Sequence, residues 1–310
     1  MSGESARKTA LVTGASGFVG SRLVRALDSN GWQVHAVVRG SSRGASLDQC
    51  RSCHVYDGSY GSLEAALRAV SPDVVFHLAS AMQRAADAAE SERLLAANVL
   101  FPNQLVEAML AAGSTRLVNT GTFWQHYAAE RYRPVDFYAA TKQAFEDLLA
   151  YYHDAFALSC VTLKLYETYG PADPRQKLIN LLIDAGLNGL PLDLSPGEQI
   201  LDLTHVDDVA AAFEAAAHHL LASTAPAFHS ALVSGERMSL KALVAAVGEQ
   251  FEDGLQVSFG ARPYRPREVM QPITASPSPA LGLWTAKRRL REALPEMIAS
   301  RGPPNRSSSD

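Results

Sequence analysis

The chain has 310 residues, 47% of them hydrophobic and 19% charged, and a formal net charge of −4 at pH 7. That length suffices for one large domain, or a large and a small one, with an ample core. The mild acidity argues against nucleic acid or an anionic membrane surface as a partner, although a local group of Arg and Lys can still hold an anionic small substrate.

The opening MSGESARKTA is polar and has no apolar h-region of a signal peptide. No stretch approaches the ~18 uninterrupted apolar residues of a membrane span. Three cysteines, Cys50, Cys53 and Cys160, cannot all pair internally, so the expected setting is reducing and cytoplasmic. Cys50-x-x-Cys53 has no second Cys or His pair at zinc spacing and reads as structural, with no metal expected.

Short apolar runs alternate with helical patterns. Thr9–Val12, Val34–Val38, Val74–Leu78, Leu117–Asn119 and Val161–Leu165 are predicted buried strands. Phe18–Asp28, Leu63–Val70, Ser91–Ala112 and Phe137–Ala155 carry apolar residues at helical spacing. This alternation predicts an α/β fold, a Rossmann doubly wound parallel sheet with right-handed crossovers. After Tyr169-Gly170-Pro171 the rhythm changes, with turns at Gly189-Leu190-Pro191, Ser195-Pro196-Gly197 and Gly260–Pro266. A helix is expected to start at Asp207 or Asp208 under a carboxylate cap, and another to run from Ser239 to about Phe251. The expected organisation is a cofactor domain from 1–170 and 199–235. A smaller, interleaved substrate domain takes 171–198 and 236–300, and a disordered tail runs from Arg301 to Asp310.

The segment TGASGFVG places Gly14, Gly17 and Gly20 between a strand and a helix. Glycine permits the tight turn and close backbone approach to a pyrophosphate, and the helix N-terminus adds N–H donors and a positive dipole end. Ser16, Phe18 and Val19 complete this candidate cofactor turn. At the end of the second strand stands Val38-Arg39-Gly40-Ser41-Ser42-Arg43 rather than an acidic residue. Arg39, with Ser41, Ser42 or Arg43, suits the 2′-phosphate of NADP. NADPH/NADP is therefore the expected cofactor, with NAD remaining possible. Asp57, followed by Gly58, is placed to accept from an adenine amino group.

Tyr138 and Lys142 stand four apart on one helix face, where an ammonium favours the phenolate and lowers its pKa. Leu117–Thr122 ends a predicted strand in hydroxyl residues, at the edge where open α/β sheets carry their sites. Thr122 can hydrogen-bond a substrate carbonyl or alkoxide beside Tyr138.

With TGASGFVG go VVFHLAS (Val74–Ser80), Asn98 in AANV, NTGT (Asn119–Thr122), YAATK (Tyr138–Lys142), YGP (Tyr169–Pro171), HVDDV (His205–Val209) and YRPREVM (Tyr264–Met270). In this order, over roughly residues 8 to 285, the chain resembles an extended short-chain dehydrogenase/reductase of the nucleotide-sugar epimerase/dehydratase family. NTGTFWQHY, YAATKQAFEDLL and LYETYGPADPRQKLI most resemble NDP-4-keto-6-deoxyhexose 4-ketoreductases, the group of the CDP-abequose and CDP-paratose synthases. The resemblance implies a cofactor cleft lined by Leu78, Ala79, Ser80, Thr120 and Leu165, with Asn98 bonding helix backbone in support. It implies substrate-diphosphate contacts at Lys177 and Arg265 and packing near the base or sugar by Leu178. It also implies a homodimer through the helices near Ser91–Ala112 and Phe137–Ala155.

Two positions depart from the family. Leu201 stands where many relatives carry Arg, so one phosphate contact is either missing or supplied by another residue, for which Arg175 is the candidate. Glu167 stands where relatives carry Asn, and a carboxylate there suits a hydroxyl or a cation better than a pyrophosphate. Dehydratases carry an Asp-Glu pair after the catalytic Thr; here Phe123-Trp124 follows Thr122, with Gln125 and His126 as candidate sugar contacts. The expected reaction is reduction of a C4 ketone on a nucleotide-diphosphate sugar, with Tyr138 as proton donor, Thr122 steadying the oxygen and Lys142 keeping the phenol acidic. The alternatives are an NAD-dependent 4-epimerase and a non-catalytic cofactor-sensing regulator, the latter disfavoured by the Tyr138/Lys142 pair.

Overall fold

A computed structural model describes residues 7–42, 44–82 and 87–302. Arg43 and the tail beyond Gly302 lie outside the described residues.

Seven parallel strands form the central sheet. In chain order they are β1 (Thr9–Thr13), β2 (Gln33–Arg39), β3 (Ser52–Tyr56), β4 (Val74–His77), β5 (Arg116–Thr122), β6 (Ser159–Leu165) and β10 (Phe228–Val233). Their spatial order is β10-β6-β5-β4-β1-β2-β3. The chain starts at β1, winds outward to β3, then returns to β4 on the other side of β1. The order therefore reverses between β1 and β4, which opens a crevice at their carboxyl ends. The strands are near-continuous apolar runs because helices cover both faces. Helices α1 (Phe18–Ser29) and α7 (Val206–Ala222) pack together over one face, enclosing Leu23, Val24, Phe76, Phe213 and Leu220. On the other face lie α2 (Tyr60–Val70), α4 (Phe101–Ala111) and α5 (Phe137–Phe156), around Leu67, Leu105, Met109, Phe145 and Leu149. Fully burying one such side chain contributes roughly 1.5 to 3 kcal/mol.

Local capping sets the helix starts. Ser59, Asp87, Asp136 and Ser239 each accept a backbone N–H from the first turn. The expected helix over Ser91–Ala112 is two helices, α3 (Ala88–Leu95) and α4, joined by a π-turn at Ala96–Leu100. By length and composition alone, Ala88–Ala111 could cross a membrane; Leu94, Leu105, Val106 and Met109 are instead buried within the protein.

The remaining elements make a smaller lobe. Strands β11 (Glu236–Ser239), β9 (Ile200–His205) and β7 (Glu167–Tyr169) form one sheet, and β12 (Val257–Phe259) pairs with β8 (Leu192–Leu194). Helices α6 (Leu178–Asn188), α8 (Leu240–Gly248) and α9 (Leu290–Ala299) bury Leu182, Ile183, Leu243, Val247 and Leu294 around them. The stretch 199–235 thus gives α7 and β10 to the large sheet and its covering layer but its first strand, β9, to the small sheet. The aspartate cap expected for α7 is not used. The helix starts at Val206, and the His205 Nδ1 accepts the Asp207 N–H at 3.2 Å. Asp208 turns away to accept the backbone N–H groups of Lys287 and Arg288 at 3.0 and 2.8 Å, fastening the C-terminal segment to the helix.

Candidate active site

The glycine turn leaves β1 at Gly14, whose φ is +74°, in the region that favours glycine. A Cβ there would lie 2.6 Å from the Ala79 nitrogen and 2.7 Å from the Leu78 carbonyl carbon. At Gly20 it would meet the Gly14 carbonyl oxygen at 2.0 Å. The backbones of β1, α1 and the β4 end are therefore drawn together at the switch point. Ser16 and Gly17 are exposed, Phe18 is half-buried, and Val19 packs inward on the core. The Ala79 N–H donates to Thr13 Oγ1 at 3.2 Å, and the Thr120 hydroxyl to the His77 carbonyl at 2.8 Å. Leu165 ends β6 opposite Thr122. Arg39 and Ser41 are exposed beyond β2, and the Arg39 N–H is held by Ser42 Oγ at 3.1 Å. Asp57 accepts the Ser59 N–H and hydroxyl at 2.8 and 2.6 Å, bonds that hold its carboxyl below the usual range. Gly58 beside it has φ +99°.

Thr122 closes β5 and Tyr138 lies in the first turn of α5, a helix that packs against β5 and against the turn Phe123–Gln125 after it. Both side chains are nearly buried, at 7% and 6% exposure. Burial raises the Tyr138 phenol to about 12; a hydrogen bond from Ser80 opposes this and the Asp136 charge adds to it. Lys142, 3% exposed, is pushed down to about 8 by burial. The expectation that Lys142 makes the phenol acidic is thus corrected for the ligand-free protein. Burial is the largest cause of both shifts, and Ser80 is the group that lowers the phenol.

Asn98, in the π-turn, is the keystone of this rim. Its Oδ1 accepts the Ala81 N–H at 2.9 Å and the Ser80 hydroxyl at 3.1 Å, and its Nδ2 donates to the Ala81 carbonyl and to Thr141 Oγ1. It therefore ties the loop after β4 to α5, rather than bonding helix backbone. Single π-turns inside helices frequently mark functional positions.

Behind Thr122 lies a buried polar chain. Gln125, fully buried, accepts the Thr122 N–H at 3.0 Å and donates to Gln143 and Glu146, each at 2.7 Å. Glu146 pairs with Lys164 at 3.0 Å, and Lys164 donates to His126 Nε2 at 3.1 Å, while His126 Nδ1 meets the Glu130 carbonyl at 3.1 Å. Gln125 is thus corrected from sugar contact to scaffold, because its amide is fully engaged inside the protein. His126 likewise has both ring nitrogens engaged, and burial and the Lys164 charge lower its pKa. Sequence reasoning missed Glu146 and Lys164. The signal for Glu146 was present, since it follows Lys142 at the same four-residue spacing as Lys142 follows Tyr138. For Lys164, inside an apolar strand, only the pairing of β5 with β6 reveals the role.

On the small-lobe side, Phe123 stacks on Tyr166 at 4.8 Å. Glu167 faces a cation, Lys177, at 3.4 Å. Leu178 begins α6 and packs on the lobe's core, and Arg265 is exposed. Arg175 is held by Asp173 and the Thr168 carbonyl and lies 4.6 Å over the Phe18 ring, next to the glycine turn. Where Leu201 leaves a cation missing, Asp202 on the same strand binds Ser234, the Gly235 N–H and Arg237. Arg237, which the sequence did not single out, directs its other nitrogens to Thr274 and the Ile273 carbonyl.

These residues fit a dinucleotide. The Gly14/Gly20 cradle admits no side chain, and Lys142 is a buried ammonium without a hydrogen-bond acceptor among the described residues. A family model described as the NAD dependent epimerase/dehydratase family matches residues 10–227. The chain belongs to that family. It is accordingly an oxidoreductase-type enzyme. A CDP-abequose synthase of Yersinia pseudotuberculosis is 28% identical over 266 residues, covering 84% of this chain and 90% of that protein. A UDP-glucose 4-epimerase of Mycolicibacterium smegmatis is 30% identical over 227 residues, covering 66% of this chain and 71% of that protein. Among solved structures, the UDP-glucose 4-epimerase of Thermus thermophilus in complex with NAD superposes with a TM-score of 0.78 at 26% identity, covering 95% of this chain and 99% of that one.

Proposed function

We propose that this epimerase/dehydratase-family enzyme reduces the C4 ketone of a nucleoside-diphosphate 4-keto-6-deoxyhexose, with NADPH as reductant, in deoxysugar biosynthesis. The observation that carries the reaction type is the pair after Thr122. Phe123 is stacked on Tyr166 and Trp124 is half-buried, so no acid–base pair stands there to expel water from C5–C6. The relatives named CDP-abequose synthase support the substrate class. Arg39, exposed at the end of β2 without a carboxylate beside it, supports NADP over NAD.

When bound, the dinucleotide supplies the hydride. Tyr138 donates its proton to the C4 oxygen, and Thr122, held in place through Gln125, hydrogen-bonds that oxygen. Burial keeps the phenol protonated until it is used. Lys142 gains the ribose hydroxyls as acceptors, which steadies its charge beside the phenol and lowers the cost of forming phenolate. Ser16–Gly20, Arg39, Ser41, Asp57, Gly58, Leu78–Ser80, Thr120 and Leu165 line the cofactor cleft, with Asn98 fixing its rim. Glu167, Lys177, Leu178 and Arg265, with Arg175 at the border between lobes, face the sugar nucleotide. The proposed cofactor domain is 1–170 with 199–235 and the substrate domain 171–198 with 236–300, with β7 and β9 crossing over into the small sheet.

The same reading makes the enzyme a cytoplasmic homodimer. Leu95 at the end of α3, Leu100 in the π-turn after it, and Tyr151 and Phe156 on α5 are 46% to 57% exposed, apolar groups suited to a second copy. A second reading, an NAD-dependent 4-epimerase, is favoured by the epimerase relative and by the NAD complex of the similar structure. One assay separates them. The ketoreductase consumes one NADPH per keto sugar and releases NADP. Interconversion of UDP-glucose and UDP-galactose with no net cofactor consumption would replace it by the epimerase.

A further inference from the structure

The loop between the two catalytic residues folds back on itself. The Arg133 N–H donates to the Gln125 carbonyl at 2.9 Å, the Tyr127 N–H to the Arg133 carbonyl at 2.8 Å, and the Val135 N–H to the Trp124 carbonyl at 2.8 Å. At its tip Ala128 and Ala129 have φ of +56° and +59°. A left-handed conformation is unfavourable for a residue with a Cβ, and two in succession need outside support.

The small lobe braces the loop on either side of that tip. Arg267 reaches across to donate through Nε to the Val135 carbonyl at 3.1 Å and through a terminal nitrogen to the Pro134 carbonyl. Its guanidinium also lies 4.5 Å from the centroid of the Tyr127 ring, which the Arg133 guanidinium approaches at 5.3 Å. Arg267 itself has φ +59°. A bulky side chain is thus held in a backbone conformation natural to glycine, and its guanidinium makes three contacts with the facing loop. It lies only two positions beyond Arg265, the exposed cation assigned above to the substrate diphosphate.

We propose that Arg267 is a positioning residue, a latch that fastens the Arg265 segment onto the Thr122–Tyr138 loop, so that diphosphate binding is coupled to the order of the catalytic rim. A diphosphate drawn to Arg265 fixes that segment, and the latch passes the restraint to 126–135, which joins Thr122 to Tyr138. The inference rests on the substrate reading for its coupling, but the latch itself is testable without ligand. Any nucleoside diphosphate that Arg265 can hold serves as probe.

The experiment is amide hydrogen exchange, resolved by segment, on the wild type, Arg267→Ala and Arg267→Gly, each alone and with excess UDP or CDP. Without nucleotide, both variants should exchange at least about fivefold faster over 126–135 and unchanged within the central sheet. With nucleotide, the wild type should gain protection over both 260–266 and 126–135, whereas the variants gain it over 260–266 alone. In turnover, the variants should lose kcat while their affinity for NADPH stays as it was. The glycine variant, freed of the strained φ, should melt at or above the alanine variant, which separates loss of the latch from loss of fold. Unchanged exchange over 126–135 in the ligand-free variants overturns the latch. Nucleotide protection of 126–135 that persists in the variants overturns the coupling. A wild type bound by neither nucleotide overturns the substrate reading, while the ligand-free comparison still decides the latch.

Discussion

Two lysines in the cofactor half are both buried, and the protein treats them in opposite ways. Lys164, behind Thr122, meets Glu146 at 3.0 Å and His126 at 3.1 Å, and Gln125 closes the chain of bonds back to the Thr122 backbone. Lys142, one helical turn beyond Tyr138, meets no acceptor among the described residues, and its pKa falls to about 8. A buried ammonium is costly unless paired. The paired one is scaffold, complete within the chain. The unpaired one is open to a partner, and under the proposed function that partner is the dinucleotide. The two lysines thus differ in what engages them, one by Glu146 and His126, the other by no acceptor among the described residues.

Four experiments bear on that contrast. The largest effect should come from Tyr138→Phe. Removing the proton donor should lower kcat by roughly 10²- to 10⁴-fold in NADPH oxidation. Cofactor affinity by titration should remain intact, and near-normal turnover would discard the proposed chemistry. Next is Glu146→Ala, which gives Lys164 the condition of Lys142. Leaving an uncompensated buried charge should cost about 3 to 5 kcal/mol in denaturant unfolding, and a loss under about 1 kcal/mol would show the pair to be dispensable.

Lys142→Met removes the unpaired charge. The folded-state pKa of about 8 lies below the ordinary 10.5, so the unfolded chain binds the proton more readily between those values, and wild-type stability rises with pH across that window. The variant should therefore be more stable than the wild type by about 3 kcal/mol at pH 7, an advantage that shrinks above pH 8 and vanishes near 10.5, while activity is lost. A stability difference flat from pH 7 to 10.5 would show that the ammonium is not desolvated in solution. The smallest effect should be Arg39→Ala. It should weaken NADPH by about tenfold, or about 1.4 kcal/mol, and NADH hardly at all, since only the former carries the 2′-phosphate. Equal loss for both would remove the argument for NADP.

The strong local patterns were legible early. Strand runs such as Val74–Leu78 and the glycine turn before Phe18 pointed to the parallel sheet and its crevice, because burial on both faces and a positive φ leave few residue types to choose from. Tyr138 and Lys142 were legible for the same reason, since helical spacing alone puts them on one face. The boundaries at Asp207 and within Ser91–Ala112 misled. A histidine can cap as a carboxylate does, and a π-turn leaves no mark on apolar periodicity.

What the order of residues determined by itself was the sheet, the glycine turn after β1 and the helical spacing of Tyr138 and Lys142, all consequences of local periodicity and backbone freedom. Only the folded molecule decided which polar groups are engaged and which are left open. Gln125 turned inward, Glu167 found Lys177, Ser80 took the phenol, and Arg267 crossed to the facing loop. Each depends on contacts between segments separated in the chain, and whether a polar group is satisfied is set by what packs against it rather than by its neighbours in sequence.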